Sequence, residues 1–425
     1  MELRRNLASG LVILIITYFF LFLRRPDILT NAQFWAEDGY FWYKNAYEDG
    51  IFFSLVNPMN GYFQSISRLV AGFSTLLPLD YAPLFTNASG LLIRSLLVWF
   101  FLSKRFDFAP LTPRIIISVY TVVIPYSDEV HTNITNAHWF LGLYSIMILT
   151  AYKAKGKLWF SHDILILTIA SLSGPFSVFL LPCIAVKYLF NTKYNNIISI
   201  KNIFSFIKKP QHYIIIIGSL IQVIAILTSL TSFSDARSHA PLGASPLILS
   251  NIIATRLLLS TFSLMDMSNL IWSSPLLSVT LTALFFIMTA FVIYSKNWRL
   301  ISLLMFGLLV VGFSLARPMI SLTEPQWPSL QQAACGQRYF ILINIAVFSI
   351  TAFALFNKCS TLFSKKIYIC TLSMVLTFII WKSFIIAPLP DYDWKSSVAI
   401  FNAAASGELV TLPIPPGWEM TLIKK

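Results

Sequence analysis

The sequence predicts an all-α polytopic membrane protein with about 11 transmembrane helices. This prediction rests on the composition, on apolar runs that recur along the whole chain, and on the placement of basic residues between those runs. Of the 425 residues, 56% are hydrophobic and only 12% are charged, whereas a soluble protein carries about 25% charged residues. So few charges are insufficient to cover a soluble globule of this size. No linker divides the chain, so we predict a single transmembrane domain over residues 1–425.

The predicted spans are apolar runs close to the roughly 20 residues that a helix needs to cross a bilayer. Arg24 and Arg25 follow the first run, and no small-residue cleavage site appears, so we interpret this run as a retained span and not as a signal peptide. An apolar stretch at 247–265 contains Arg256 and is interpreted as an interfacial or re-entrant helix. The eleven predicted spans are 7–23, 81–102, 113–126, 138–152, 162–173, 175–190, 212–230, 275–294, 300–316, 338–357 and 367–387.

The net charge of +13 is explained by basic residues on one side of the membrane. With a cytoplasmic N-terminus, 18 of the 31 basic residues fall in inner segments and 15 of the 18 acidic residues fall outside. Lys and Arg concentrate in cytoplasmic loops of membrane proteins, so we predict this orientation and no nucleic-acid partner. The acidic outer face is the expected location of function. It comprises 24–80, 231–274, 317–337 and a tail at 388–425, which we expect to cap the outer site.

The first outer loop, residues 24–80, contains the most informative motif. Two Glu-Asp-Gly triplets begin at Glu37 and Glu48, and an aromatic-rich stretch lies between them. We predict a juxtamembrane helix with Asp38 as N-cap and Gly50 just beyond its end, because aromatic rings gather at the membrane–water boundary. A carboxylate there can accept a proton from a hydroxyl group. The alternative is that Asp38 only caps the helix.

A second surface helix is predicted over 62–77, with Arg68 on its polar side. The second outer loop, 127–142, then places several polar residues before a span. These residues can bind a ligand or assist proton transfer, or they can form a polar turn that caps the span. The sequence contains no Cys-x-x-Cys motif and no ligand spacing diagnostic of a metal site, so we predict no metal, cofactor or disulfide. The candidate residues of this loop are Asp128, Glu129, His131 and His138.

Arginines of the outer face are candidates for binding a phosphate group, because a guanidinium can hold phosphate with two parallel hydrogen bonds. Arg338, which opens a predicted span, is the first choice, and Arg317, Arg68 and Arg237 are further candidates. The alternative for each is an anchor whose charged head reaches the interface. Arg94 lies inside a predicted span, where a charge is expensive. We expect it to pair with a loop carboxylate or to face a wet cavity.

This layout resembles the GT-C superfamily of membrane glycosyltransferases. The resemblance rests on one span, a large outer loop with an acidic pair on a juxtamembrane helix, and many further spans. In size and in the pattern EDG…NGY…RL, the chain is similar to bacterial proteins that modify O-antigen or other surface polysaccharides. The resemblance implies that Asp38, with Glu37 as the alternative, acts as the catalytic base. It also implies that Asp128 and Glu129 correspond to acids of the second outer loop.

The resemblance further implies a function. A polyprenyl phosphate would donate a sugar, with inversion, to a cell-surface glycan or lipid-linked acceptor on the periplasmic face of a bacterial inner membrane. The expected partners are this donor, the acceptor and membrane lipids. One alternative is an O-antigen polymerase, which would place its large loop in the middle or second half of the chain. Another is a transporter or lipid flippase, which would show internal symmetry and charges buried in its spans.

Overall fold

The structure is a computed structural model that describes residues 2–193, 205–230, 240–333 and 335–425. These residues form a mainly helical protein with one β-hairpin, made of the antiparallel strands β1 (Leu409–Ile414) and β2 (Trp418–Ile423). Two π-helices, Asp38–Tyr43 and Ile253–Leu259, each adjoin one α-helix. The α-helices are α1 (Glu2–Arg24), α2 (Asp27–Thr30), α3 (Lys44–Glu48), α4 (Ile51–Val56), α5 (Ser65–Ser74), α6 (Ala82–Phe101), α7 (Leu111–Val122), α8 (Ala137–Thr150), α9 (Lys157–Ser171), α10 (Phe176–Lys193), α11 (Pro210–Leu230), α12 (Pro246–Ile252), α13 (Ser268–Trp272), α14 (Pro275–Tyr294), α15 (Trp298–Ala316), α16 (Gln326–Leu330), α17 (Ile341–Asn357), α18 (Leu362–Ser383) and α19 (Trp394–Ala403).

A helix occupies the position of each of the eleven predicted spans. Within the described ranges, five helices are long and apolar enough to cross a membrane, and further apolar helices are shorter. The structure therefore confirms a helical integral membrane protein, while the count of eleven crossings stays a prediction. The five long helices are α6 (here counted with the preceding turn, Leu79–Phe101), α11 (here Pro210–Ser229), α14, α15 and α18.

The centre of the bundle is formed by α8 and α17, which are buried along most of their length. Tyr120 of α7 stacks on Phe348 of α17, with ring centroids 3.9 Å apart. By contrast, α14 and α18 leave most of their apolar side chains exposed. An exposed apolar surface of this extent is unfavourable in water and is suited to contact with lipid. The helices at the edge of the bundle thus present apolar side chains outward, whereas the helices at its centre are enclosed by protein.

The loops predicted to lie on the two sides of the membrane gather at opposite ends of the bundle. At one end, Arg25 donates hydrogen bonds from Nε to Ala387 O (2.8 Å) and from Nη1 to Asp128 O (3.3 Å). At the other end, Arg105 donates from Nε to Tyr152 O (2.6 Å). The segregation agrees with the predicted topology, and which end faces the outside stays a prediction.

In the first outer loop, the helix between the two Glu-Asp-Gly triplets is confirmed, but the predicted cap is wrong. The helix consists of the π-helix and α3, and Gly50 follows it with a φ of 90°, a region that glycine enters without steric cost. Glu37 occupies the N-cap position and makes no side-chain capping bond. Asp38 lies inside the first turn, where its carboxylate is bound by the second outer loop.

The second predicted helix of this loop is the shorter α5, and the placement of Arg68 on a polar face is wrong. Arg68 is only 1% exposed, and its guanidinium lies over the ring of Trp42, 5.1 Å from the centroid. The reason is that α5 packs against the π-helix on one side and against α6, α8 and α9 on others. The helix is therefore enclosed by protein and has no wide polar surface.

The C-terminal tail departs from the all-α prediction. Residues 388–425 form α19 and the β-hairpin, and together with the first outer loop they enclose a small apolar core. Phe34 of the loop contacts Trp394 of α19 edge-to-face, with centroids 5.3 Å apart. The alternating burial of β1 places every second side chain in this core. The tail thus packs on the first outer loop and is built partly from strands, and its position over an outer site stays a prediction.

Candidate functional site

Asp38 joins the first outer loop to the second. Its Oδ2 accepts a hydrogen bond from Ile134 N (3.0 Å), and its Oδ1 accepts bonds from Thr135 N (2.8 Å) and Thr135 Oγ1 (2.5 Å). The same Thr135 hydroxyl accepts a bond from Trp42 Nε1 (2.8 Å). Asp38 is 0% exposed, and burial raises the pKa of Asp38 to about 7, although the three donors oppose that shift. Its carboxylate holds the two loops together and has no surface open to an incoming hydroxyl.

Glu37, the neighbouring acid, has different surroundings. Its side chain is half-buried, and no hydrogen bond from the described residues reaches its carboxylate. Its carboxylate interacts electrostatically with the guanidinium of Arg338, and Tyr62 interacts electrostatically with the same guanidinium. The two adjacent acids are therefore separated in role: Asp38 is enclosed and fully bonded, whereas Glu37 is partly open and beside a cation.

The second outer loop is inserted among the helices and is not an exposed polar turn. His131 is buried; its Nδ1 accepts a bond from Arg94 Nη1 (2.9 Å), and its Nε2 donates to Leu21 O (3.1 Å). Burial, followed by the nearby arginines, lowers the pKa of His131. Arg94 thus pairs with a neutral imidazole and not with a carboxylate. His138 is likewise buried, at the start of α8.

A close backbone contact fixes how deeply this loop enters the bundle. The chain at Thr132 crosses α6 at Gly90, where a Cβ atom would lie 1.8 Å from the Thr132 carbonyl oxygen. Thr132 immediately follows His131 and precedes the backbone N–H groups that bind Asp38. Only a residue without a side chain permits this approach. In the sequence, the contact is marked only by a single glycine within a span, and glycine is common in membrane helices.

Glu129 remains at the outer edge of the loop and forms an ion pair with Arg338. The backbone N of Arg338 also donates to Glu129 Oε2 (3.3 Å), and its Nη2 donates to Met319 O (2.6 Å). Asp128, the preceding acid, is exposed. Arg338 therefore pairs with Glu129 and interacts electrostatically with Glu37, and these two acids come from different outer loops. These are the predicted site residues that the structure brings together.

Arg338 lines a polar cleft, and its hydrogen-bond partner Met319 lies between this cleft and a groove of mainly apolar residues. The cleft has a volume of about 500 Å³, and its lining includes Arg25, Trp35, Asp128, Glu129, Arg338 and Pro416. The groove is narrow, about 50 Å³, and lies against α10 and α15; its lining includes Tyr62, Phe176, Phe179, Val310, Phe313 and Arg317. Met319 lines both spaces.

The remaining predicted phosphate-binding arginines differ in their placement. Arg317, at the end of α15, is exposed and lines the groove. Arg68 is buried and lines neither the cleft nor the groove. Arg256 is buried and donates to Ala333 O (2.8 Å) and Cys335 O (2.8 Å), so it holds the loop that leads to Arg338. Arg237 lies outside the described residues.

Three residues of this region are not predicted from the sequence: Arg25 and Trp35 in the cleft and Thr135 beneath Asp38. In the sequence, Arg25 marks only the flank of the first span. Thr135 has no signal, because its partner is distant in the chain. The hairpin does have a signal: LVTLPI and WEMTLI alternate in polarity around Pro-Pro-Gly, which is a pattern typical of two paired strands.

Within the described residues, no group of three or more His, Cys, Asp or Glu side chains is placed to hold a metal ion. The site consists instead of carboxylates and guanidinium groups next to an apolar groove. No protein-family model matches the chain, and comparison with curated proteins gives no significant match.

Proposed function

We propose that this protein transfers a sugar from a polyprenyl phosphate to a hydroxyl group of a cell-surface glycan or lipid-linked acceptor, on the outer face of a bacterial inner membrane. The observation that carries this proposal is the position of Arg338. It pairs with Glu129, interacts electrostatically with Glu37 and lines the polar cleft, and its partner Met319 links that cleft to the groove. A polyprenyl phosphate sugar has the same order of parts: an apolar chain, a phosphate and a polar ring.

Glu37 is assigned as the proton acceptor. Its carboxylate is partly open and has no hydrogen-bond donor from the described residues, whereas that of Asp38 is enclosed and bonded at both oxygens. A general base must come within hydrogen-bond reach of the proton that it removes. Asp38 is assigned as a positioning residue, because its bonds to Ile134 and Thr135 fix the turn on which Glu37 lies.

The reaction is a single displacement. Glu37 takes the proton of the acceptor hydroxyl while the oxygen of that hydroxyl forms a bond with the anomeric carbon. The bond from that carbon to the phosphate oxygen breaks, and the electron pair leaves with the lipid phosphate. Arg338 and Arg317 stabilise the charge that develops there. Attack opposite the leaving group inverts the anomeric centre.

Transfer assays in membrane vesicles test this proposal. Labelled polyprenyl phosphate sugars are supplied with a cell-envelope glycan, and wild type is compared with Glu37→Gln at equal expression. We expect the variant to lose about 10²- to 10⁴-fold in rate, the usual contribution of a positioned base. Asp80→Asn is the matched control, because Asp80 is an exposed acid of the same outer loop, and its transfer rate should equal that of wild type.

The outcomes separate the two parts of the proposal. Absence of transfer from every polyprenyl phosphate sugar by the wild type would reject the function. Transfer that survives in Glu37→Gln but is lost in Asp38→Asn would retain the function and return the role of base to Asp38.

A further inference from the structure

The C-terminal hairpin is seated directly on the helix that carries the acidic pair. Ala36 N donates a hydrogen bond to Pro415 O in the hairpin turn (2.6 Å). Side-chain atoms of Ile414 and Met420 lie 2.9 and 3.3 Å from the position of a Cβ atom on Gly39. Because these contacts flank Glu37 and Asp38 in the sequence, the hairpin turn has a fixed place beside the proposed site.

Three aromatic rings meet at this junction. The ring of Tyr40 contacts Phe41 (centroids 4.6 Å apart) and Trp418 (5.4 Å) edge-to-face, and Phe41 lies 6.5 Å from Trp418. We call these three residues the aromatic platform. Tyr40 is 43% exposed and Trp418 is 37% exposed. Other large rings of this region are buried in the cores below, among them Phe34, Trp42, Tyr43, Trp394 and Phe401.

The hairpin turn connects the aromatic platform to the polar cleft. Pro416, in the hairpin turn, lines the cleft, and Trp418 follows two positions later. Tyr40 lies one turn after Glu37 on the same helix. An acceptor that presents a hydroxyl to Glu37 would therefore bring its next ring close to the aromatic platform.

The chemistry of the aromatic platform favours a sugar as its occupant. Tyrosine and tryptophan combine an apolar ring with a hydrogen-bonding tip, which matches a pyranose with its C–H face and its hydroxyl edge. The same residue types also gather at membrane interfaces. However, Glu419, the next residue of the same strand, is exposed, and a carboxylate is unfavourable within lipid. It projects from the opposite face of the strand, and its charge disfavours an acidic sugar near the hairpin.

From these observations we infer that Tyr40, Phe41 and Trp418 bind a neutral sugar ring of the acceptor. The role of this ring as acceptor rests on the proposed function, but its binding is independent of sugar transfer. The hairpin thereby acquires a role beyond covering the outer loop: it supplies a specificity-determining residue, Trp418, to a site whose acid comes from the other end of the chain.

Saccharide binding to the purified full-length protein in lipid nanodiscs tests this inference. The probes are maltose, lactose, cellobiose and N,N′-diacetylchitobiose, and binding is measured by saturation-transfer NMR. We expect at least one probe to bind wild type, and Trp418→Ala to weaken that binding tenfold or more. Trp418→Phe should retain most of the binding because it keeps a ring. Trp381→Ala is the matched control, since Trp381 is 76% exposed on α18 and should not affect binding.

Thermal unfolding of Trp418→Ala in the same nanodiscs shows whether the variant is folded, and Trp418→Phe gives the comparison if it is not. Binding without any transfer would reject the proposed function and leave this inference standing.

Three results would overturn the inference while leaving the transfer assay interpretable. These are absence of binding of every probe to wild type, equal binding by wild type and both Trp418 variants, and lipid contact at Trp418. The last is measured by brominated-lipid quenching: a quenched component that is present in wild type and absent in Trp418→Phe would show that the aromatic platform lies in the membrane.

Discussion

Gly90 lies where the second outer loop crosses α6, and its replacement by alanine perturbs the packing that places this loop beneath Asp38. A Cβ atom at Gly90 would be 1.8 Å from the Thr132 carbonyl oxygen and 2.7 Å from its carbonyl carbon. Ordinary carbon–oxygen contacts are about 3.3 Å or longer. The loop would therefore have to retreat by roughly 1.5 Å. The atom in the way belongs to the backbone, so no side-chain rotation relieves the contact.

The expected cost follows from two opposing effects. Overpacking of a tight interior costs about 1–3 kcal/mol, and a backbone contact this short belongs at the upper end. Replacing glycine by alanine within a helix returns about 1 kcal/mol. The net expectation for Gly90→Ala is thus a loss of about 2 kcal/mol. Gly312→Ala in α15 is the matched control, because no atom lies within 4 Å of its Cβ position, and it should gain up to about 1 kcal/mol.

Thermal unfolding of both variants in the same detergent, followed by tryptophan fluorescence, measures the difference. We expect Gly90→Ala to unfold below wild type and Gly312→Ala to unfold at or above it. The Ile134 and Thr135 N–H groups that bind Asp38 follow Thr132 closely, so sugar transfer should fall in Gly90→Ala as well. Equal unfolding temperatures for the two variants would refute the placement of the loop against α6.

Three further predictions concern buried polar groups. The pKa of Asp38 is raised to about 7 from an ordinary value of 3.8. Its contribution to the stability of the fold is therefore complete below about pH 4 and is lost as the pH rises through about 7. Unfolding temperatures at pH 5 and pH 8 should differ less in Asp38→Asn than in wild type, and an unchanged difference would contradict the raised pKa. His131→Leu leaves Arg94 without its imidazole acceptor and should lower the free energy of unfolding by about 1.5–3 kcal/mol. The double variant Arg94→Met/His131→Leu should recover part of that loss in the same unfolding assay. A double variant less stable than the single one would contradict the pairing. Asp163→Asn breaks the buried bidentate pair with Arg105 (3.0 and 2.9 Å) and should cost about 3–5 kcal/mol. Asp107→Asn should cost less than about 1 kcal/mol, because the carboxylate that Asp107 presents to Arg114 is 52% exposed. Equal losses would show that burial does not control the strength of these two ion pairs.

The helices are predictable from the sequence because each requires only local information. An apolar run of sufficient length predicts a membrane helix regardless of its neighbours, and helices occur at all eleven predicted positions. The hairpin is missed for a related reason. Its strands are six residues each and their alternation is short, so the proline and glycine between them indicate a loop in a tail as readily as a turn between strands.

The site is predictable in part. The outer-loop acids and Arg338 can be selected from the sequence as polar groups beside predicted spans, but their contacts depend on distant parts of the chain. Asp38 is bound by Thr135, which is 97 residues away, and Arg338 pairs with Glu129, which is 209 residues away. Local patterns do not determine which of two adjacent acids such a contact encloses. Arg68 illustrates the same limit, since its burial results from the packing of α5 among several helices.

The most direct measurement of the proposed function uses purified protein in lipid nanodiscs with a polyprenyl phosphate sugar and an acceptor glycan. The released lipid phosphate and the glycosidic bonds formed are both quantified, and the anomeric configuration of the product is determined by NMR. The predicted result is one lipid phosphate released per bond formed, with inversion, in wild type, and the loss of both signals in Glu37→Gln. Transfer without release of lipid phosphate, or no transfer by the wild type, would contradict the proposed function.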